Sequence, residues 1–269
     1  MDAARRTSSG CLASEKRAAV LPRWTEGPVE LTLVRHGESL GNRADAAARK
    51  AKAERLDLDQ RDADVELSDT GTGQADGVAA WLAGDGAAPP PDLVISSPYL
   101  RARATAERIV SRLDVDLVFD ERLRERDLGV FDGMTGLGIR SAYPEEAKRR
   151  EKVGKFYYQP PSGESWCDVV LRVRSLLDDL RHGYDGARVW LVTHQAVIMS
   201  FRYALENLSE EELLDIDRTV PIPNASMTTY RRDGDRLELV SFADTSAVDE
   251  TEADVTHEEP QGSGQREHA

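Results

Sequence analysis

Two short apolar segments of this chain each end in a histidine, and no other sequence feature constrains the fold as strongly. The first is VELTLVRH, from Val29 to His36, which continues as GESLGN to Asn42, and the second is RVWLVTH, from Arg188 to His194. Each pattern is typical of a buried strand that delivers a polar side chain at its end. In open α/β sheets the carboxyl ends of neighbouring strands form the ligand crevice. We therefore expect His36 and His194 to lie at one edge of a sheet.

Strand and helix patterns alternate along the middle of the chain. Strands are predicted at 31–34, 93–96, 115–119 and 189–193, and helices near 72–82, 101–113, 165–181 and 196–208. Two further predicted strands, 226–231 and 236–242, flank Asp233-Gly234, a dipeptide typical of a hairpin turn. The pattern predicts a three-layer α/β/α domain with a largely parallel sheet.

Two arginines are expected at the same edge of the sheet as the histidines. Arg35 directly precedes His36, and Arg101 begins the helix that follows the second predicted strand. An arginine is poorly placed at a helix N-terminus unless an anion visits, although pairing with Glu107 is the alternative explanation. Guanidinium groups grip two oxygens of a phosphate in fork geometry. The pattern therefore indicates a site for a phosphate-like anion.

Six ordered motifs between Val29 and Ala243 resemble those of the histidine phosphatase superfamily, also called phosphoglycerate mutase-like. They are RHGES, LSDTGTGQA, SSPYLRARATAE, LRERDLG, GESWCDVVLRV and LVTH, which begin at residues 35, 67, 96, 123, 163 and 191. One such motif would be weak evidence, but an ordered series is specific. The resemblance implies the phosphoglycerate mutase-like fold and an enzyme of phosphoryl transfer.

The resemblance and the residue types together imply a role for each candidate catalytic residue. A neutral imidazole is a nucleophile near neutral pH, so His36 is expected to attack phosphorus and form a phosphohistidine. Arg35, Arg101 and a protonated His194 would stabilise the charge that spreads over the equatorial oxygens. Glu125 would give a proton to the leaving alkoxide and then activate water.

Glu125 is selected by the family register alone. It lies in the charged run 121–127, which would ordinarily be a solvated surface, and Asp127 is the neighbouring alternative. No metal or other cofactor is expected, because arginines carry the positive charge and no Asp/His cluster has metal-ligand spacing.

Neutral groups are expected to complete the phosphate site. Asn42 would add a hydrogen bond, and the backbone amide of Gln195 would face the phosphate from a helix N-terminus. Gln195 departs from the resemblance, since the family usually has small residues after the second histidine. Gly41 stands where the phosphoglycerate mutases proper tend to carry a tryptophan. That difference favours hydrolysis over mutase activity.

The segment 134–162 resembles a cap insertion in which substrate choice would reside. It contains Arg140, Lys148, Arg149, Arg150, Lys152 and Lys155, followed by FYYQPP. One interpretation is that these cations, with Tyr157 and Tyr158, bind the non-transferred part of the substrate. The alternative is that glutamates of the cap offset the cations and the aromatic residues pack the cap onto the core. The sequence leaves both interpretations open.

Composition and charge indicate where the catalytic domain begins and ends and which classes of partner it does not bind. A net charge of −14 disfavours nucleic-acid binding. Eight acidic residues and one arginine follow position 243, so 244–269 is expected to be a disordered tail, as is 1–27, leaving 28–243 as the catalytic domain. Two cysteines favour a reducing cytoplasm, and the absence of a long apolar run excludes a membrane span.

The sequence thus favours a metal-independent phosphomonoesterase that acts on a small-molecule phosphate ester. Two alternatives stay open: a mutase that returns the phosphoryl group to a second hydroxyl, and a module that binds phosphorylated ligands without turnover. Retention of a nucleophile and an acid argues against the second alternative, since a binder needs neither. The substrate and the oligomeric state are not indicated.

Overall fold

A computed structural model describes residues 23–84, 89–249 and 254–258 of the chain. Its helices and strands, in chain order, are β1 (Glu30–Arg35), α1 (Leu40–Ala51), α2 (Asp69–Leu82), β2 (Leu93–Ser96), α3 (Leu100–Val110), β3 (Asp116–Phe119), α4 (Gly136–Ala142), α5 (Pro144–Val153), α6 (Trp166–Gly183), β4 (Arg188–Thr193), α7 (Gln195–Glu206), α8 (Glu210–Thr219), β5 (Met227–Asp233), β6 (Arg236–Asp244) and α9 (Ser246–Asp249). The predicted α/β class is confirmed.

The strands form one mixed sheet in the order β3-β2-β4-β1-β5-β6. The first four strands in that order run parallel, and β5 is antiparallel to both of its neighbours, β1 and β6. In the register of β1 and β4, Arg35 pairs with Thr193, so the residues that follow, His36 and His194, leave the sheet side by side. This pairing confirms the expected meeting of two strand ends at one edge.

Alternating side chains of the central strands face two helical layers. Leu31 and Leu33 belong to an apolar core with residues of α6 and α7. Val34 belongs to a second core, which includes residues of α2, α3 and α9 on the opposite face. The side-chain period of two in a strand therefore produces the three-layer α/β/α arrangement that the sequence predicts.

Residues at the inner ends of both expected tails pack on the domain. Trp24 is 3% exposed within the first core, and its backbone N–H donates to the carbonyl of Asp235 at 2.8 Å. After β6, the short helix α9 buries Ala247 and Val248 against the second core. A few apolar residues within otherwise polar segments hold both ends to the domain. The average composition of such segments does not reveal these residues. Residues 1–22, 250–253 and 259–269 lie outside the described part of the chain.

The cap insertion is fixed to the segment that follows α1. Thr135 donates from its backbone to Glu54 at 3.1 Å, and Leu56 donates to the Gly133 carbonyl at 2.9 Å. A Cβ atom at Gly138 would lie 2.0 Å from the carbonyl oxygen of Glu54, so α4 contacts that segment backbone to backbone. Main-chain contacts therefore join the cap to the segment after α1.

Gly37, which follows the first histidine, contacts α2 directly. A Cβ at Gly37 would lie 2.4 Å from the carbonyl oxygen of Gly71, and a Cβ at Gly71 would lie 1.9 Å from that of Glu38. The absence of a side chain at Gly37 therefore makes room for the first turn of α2. This contact seats the loop after β1 on α2.

Replacing Gly71 with alanine is expected to destabilise the protein by about 3 kcal/mol or more, because the new methyl group meets main-chain atoms that cannot rotate away. Gly73→Ala is the matched control, since no atom lies within 4 Å of its added Cβ. That control should gain roughly 0.5–1 kcal/mol from the loss of a flexible glycine inside a helix. Urea unfolding of both variants measures the difference. Equal stabilities would contradict the proposed contact.

In the part of the chain that the structure describes, each helix is too short or too polar to cross a bilayer.

Candidate active site

His36 lies directly after β1, 3% exposed, at the floor of a cleft of about 710 Å³. Its backbone N–H donates to Thr193 at 2.9 Å, which ties the histidine to the neighbouring strand. Its ring Nδ1 lies 2.7 Å from the carbonyl oxygen of Gly37. Since a carbonyl only accepts, Nδ1 carries the proton, and the neutral ring keeps its lone pair on Nε2.

His194 follows β4 as the N-cap of α7, and its ring centroid lies 5.0 Å from that of His36. The ring is fully buried, and Nε2 lies 2.9 Å from the hydroxyl oxygen of Ser97. Nδ1 has no hydrogen-bond partner among the described residues. A buried polar atom without a partner is costly, so this nitrogen is available to a ligand.

Desolvation by burial lowers the pKa of His36 and His194 well below the ordinary value. The positive charge of Arg101 lowers both pKa values further, and Arg35 contributes a smaller effect. Both imidazoles are therefore neutral at pH 7 in this structure. A neutral His36 is the form that can act as a nucleophile.

The two predicted arginines line the same cleft and are nearly buried, at 1% exposure for Arg35 and 5% for Arg101. Arg35 donates from Nη1 to the Ile222 carbonyl, while its Nε has no partner among the described residues. Arg101 pairs with the carboxylate of Asp62 at 3.0 Å and donates to its carbonyl oxygen. The predicted pairing with Glu107 is not formed by Arg101, because Arg103 binds that carboxylate.

Glu125 is half-buried in the loop after β3 and lines the cleft. Its Oε1 accepts a hydrogen bond of 2.7 Å from the backbone N–H of Arg126. Desolvation by burial raises the pKa of the Glu125 carboxyl, and that hydrogen bond opposes the shift. Asp127, the alternative, is exposed and accepts from the backbone N–H of Gly129 at 2.7 Å. The geometry therefore favours Glu125 as the proton donor.

Both predicted amides, Asn42 and Gln195, line the cleft. Asn42 is the N3 residue of α1, where its Oδ1 accepts from the backbone of Ser39 at 2.9 Å, and its Nδ2 is turned to Glu258. Gln195 begins α7, with Nε2 3.4 Å from Asp217 and a buried Oε1 that has no partner among the described residues. Both residues therefore lie in the same cleft as His36.

The two tyrosines of the cap, Tyr157 and Tyr158, are not among the residues that line the cleft. Tyr157 is 53% exposed, and its hydroxyl donates to Glu210. Tyr158 is buried at 3% exposure and donates to Glu146 at 2.8 Å. The hydroxyl groups of both tyrosines thus bind glutamates, and the role of these tyrosines in substrate binding stays a prediction.

One wall of the cleft comes from the segment between α1 and α2, which sequence reasoning missed. This segment contributes Arg55, Leu56, Leu58, Asp59, Gln60, Arg61, Asp62, Ala63 and Val65 to the lining. Its polar sequence has no strand or helix periodicity that would single it out. The charge run of Asp and Arg in it was the available signal.

Trp166 is a second lining residue that sequence reasoning missed, and it also belongs to the first apolar core. It is only 3% exposed, yet it lines the cleft with the cations Arg126 and Lys155. The Lys155 ammonium lies 5.6 Å from the indole ring, and the Arg126 guanidinium lies 5.9 Å from it. Among the six predicted cap cations, Lys155 is the one that lines the cleft in the described chain.

Within residues 23–84, 89–249 and 254–258, no three His, Cys, Asp or Glu side chains form a group that could hold a metal ion.

Comparison with known proteins agrees with the motifs and the geometry. The family model of the histidine phosphatase superfamily (branch 1) matches residues 31–245. Phosphoglycerate mutase-like protein 4 of Arabidopsis thaliana is 30% identical over 231 residues, which cover 82% of this chain and 88% of that protein. A bifunctional protein of Mycobacterium tuberculosis is 32% identical over 194 residues, 69% of this chain and 47% of that protein. The chain thus spans about half the length of this relative.

Solved structures share the fold as well. A mycobacterial glucosyl-3-phosphoglycerate phosphatase in complex with inorganic phosphate superposes with a TM-score of 0.63 at 27% identity, covering 81% of this chain and 99% of that chain. YhfR of Bacillus stearothermophilus gives a TM-score of 0.63 at 26% identity, covering 81% of this chain and 98% of its own. Because the family match extends over most of the chain, this protein belongs to the histidine phosphatase superfamily.

Proposed function

We propose that this protein is a metal-independent phosphomonoesterase that hydrolyses a small phosphate ester through a phosphohistidine on His36. The observation that carries the proposal is the hydrogen bond from His36 Nδ1 to the Gly37 carbonyl. That bond leaves the Nε2 lone pair free in a ring that lies beside two buried guanidinium groups. The phosphatases and mutase-like proteins among its relatives support the same reaction class.

In the first step, the Nε2 lone pair of His36 attacks phosphorus, and the bond between phosphorus and the ester oxygen breaks. The protonated carboxyl of Glu125 gives its proton to the departing alkoxide, so an alcohol leaves. In the second step, the Glu125 carboxylate takes a proton from water as that water attacks the phosphohistidine. The P–N bond breaks, the electron pair returns to Nε2, and inorganic phosphate leaves.

Charge on the transferring phosphoryl group would be stabilised by donors that lack partners in the described part of the chain. These donors include Arg35 Nε, and His194 joins them once Nδ1 takes a proton. An arriving phosphate dianion raises the pKa of His194, because a nearby negative charge favours the protonated ring. Fixed donors of this kind stabilise the transition state without reorganisation.

Hydrolysis is favoured over mutase activity by the space around Gly41. A Cβ at this position would lie 3.3 Å from the Val65 side chain and 3.9 Å from that of Leu58. A larger side chain at this position would crowd Val65, and the glycine differs from the tryptophan that is typical of the phosphoglycerate mutases proper.

The test is phosphate release from an aryl phosphate in the presence of excess chelator. We expect release that continues at the same rate after chelation, because arginines supply the positive charge. Loss of release on chelation would contradict metal independence. Activity that requires a bisphosphate and yields an isomerised product with little free phosphate would favour a mutase. Tight binding of a phosphate ester without turnover would indicate a binding module.

A further inference from the structure

We propose that the chain carries its own competitor for the phosphate site: the carboxylate of Glu258, on the segment 254–258, occupies that site until a phosphate displaces it. This inference rests on the proposed function, since it takes Arg35 and Asn42 to be phosphate-binding groups. The inference assigns a role to part of the acidic segment 244–269, which the sequence predicts to be a disordered tail.

The contacts of Glu258 are those that an incoming phosphate oxygen would make. Its Oε1 lies 3.2 Å from Nη2 of the buried Arg35 and accepts a hydrogen bond from Nδ2 of Asn42. Its side chain is 32% exposed and lines the cleft that contains His36. A carboxylate and a phosphate present the same kind of acceptor to a guanidinium, so one excludes the other.

Two buried amide side chains hold the segment in this position. Gln74 donates from Nε2 to the carbonyl of Asp254 at 2.6 Å and to the hydroxyl of Thr256 at 2.9 Å. Asn224 donates from its backbone to the Thr256 carbonyl at 2.8 Å, and its Oδ1 lies 3.2 Å from the Thr256 hydroxyl. The segment that carries Glu258 is therefore anchored to the domain by hydrogen bonds.

The same two amides also hold the loop that carries the nucleophile. Gln74 Oε1 accepts from the backbone of Glu38 at 2.8 Å, and Asn224 Nδ2 donates to the carbonyl of His36 at 3.1 Å. The segment thus binds to groups that are already fixed for catalysis. Its docking requires no rearrangement of the nucleophile.

A bound internal anion changes affinity without changing the chemical step. The apparent dissociation constant of phosphate equals the intrinsic one divided by the fraction of molecules whose site is open. If the segment is docked in nine molecules of ten, phosphate binding is weakened about tenfold. The segment leaves before the ester is bound, so we expect the effect on KM and not on kcat.

The test compares Glu258→Gln with Asp254→Asn, which removes an equal charge from the same segment. The side chain of Asp254 is exposed, and only its main chain is bound by Gln74. Calorimetry measures binding of inorganic phosphate, and steady-state kinetics gives KM and kcat. For Glu258→Gln we expect phosphate to bind about tenfold more tightly and KM to fall with kcat unchanged. For Asp254→Asn we expect native values.

A second variant tests the anchoring. Thr256→Val removes the hydroxyl that contacts Gln74 and Asn224, so it should also tighten phosphate binding, although Glu258 is retained. Equal phosphate affinity in the native protein and in both Glu258→Gln and Thr256→Val would overturn the internal competitor and leave the proposed function intact. Absence of phosphate binding in every protein would instead overturn the proposed function.

Discussion

Replacing His36 with alanine is expected to lower kcat/KM for phosphate release from an aryl phosphate by roughly 10⁴-fold or more, because removal of a nucleophile abolishes the covalent path. The native protein should in addition accumulate a phosphoenzyme that is stable in alkali and labile in acid, as a phosphoramidate is. Rapid quenching after mixing with labelled substrate measures that species. His36→Ala should form none.

The matched control for this variant is His182→Ala. His182 is exposed at the end of α6, where its Nδ1 bonds to the carbonyl of Asp178 at 2.8 Å. Its replacement should leave both release and phosphoenzyme unchanged. Equal release from native protein and His36→Ala would show that His36 is not the nucleophile, and a phosphoenzyme in the variant would place the covalent bond elsewhere.

Glu125→Gln is expected to lower turnover of alkyl phosphates by about 10²–10⁴-fold, the usual range for loss of a general acid. Aryl phosphates should lose much less in the first step, because a phenolate leaves readily without a proton. The comparison of the two substrate types therefore separates proton donation from a general loss of structure. Single-turnover phosphorylation of His36 measures the first step alone.

The pH dependence gives a second measure of the same residue. Burial raises the pKa of Glu125, so the protonated acid persists to higher pH than an ordinary carboxyl would allow. Turnover of alkyl phosphates should fall as pH rises through this raised pKa, and Glu125→Gln should lack that limb. On the acid side, the lowered pKa of His36 keeps the nucleophile neutral well below pH 6.5. Activity should therefore persist into mildly acidic solution.

The control for the acid is Asp127→Asn, two residues along the same loop. Asp127 is exposed and bonded to the backbone of Gly129, so its loss should cost far less turnover than Glu125→Gln. A larger loss from Asp127→Asn, with the alkaline limb removed, would transfer the role of proton donor to Asp127.

The sheet and the floor of the site could be predicted from the sequence because local patterns determine them. The apolar runs that end in His36 and His194 are typical of buried strands. The register of these two strands brings the ring centroids of the histidines within 5.0 Å of each other. Arg101 was predictable in the same way, since it lies in the first turn of a helix that follows a strand. These residues take their positions from regular structure.

The walls of the cleft could not be predicted, because tertiary contacts alone place them. Asp62 reaches Arg101 from an irregular loop, and Glu258 reaches Arg35 from an acidic segment whose composition is typical of disorder. For Tyr158 the sequence left substrate binding and packing of the cap both open, and in the structure its hydroxyl donates to Glu146. No periodicity distinguishes such outcomes before the chain is folded.

The contact between Gly37 and Gly71 has a consequence for how this sequence can diverge. Where two side chains touch, a larger residue on one side can be balanced by a smaller one on the other. Here an added Cβ at either glycine would overlap main-chain atoms of the opposite segment. A change of side chain cannot remove main-chain atoms. Neither position can therefore be rescued by a second substitution at the other. We therefore expect a residue larger than glycine to be excluded at both positions during divergence.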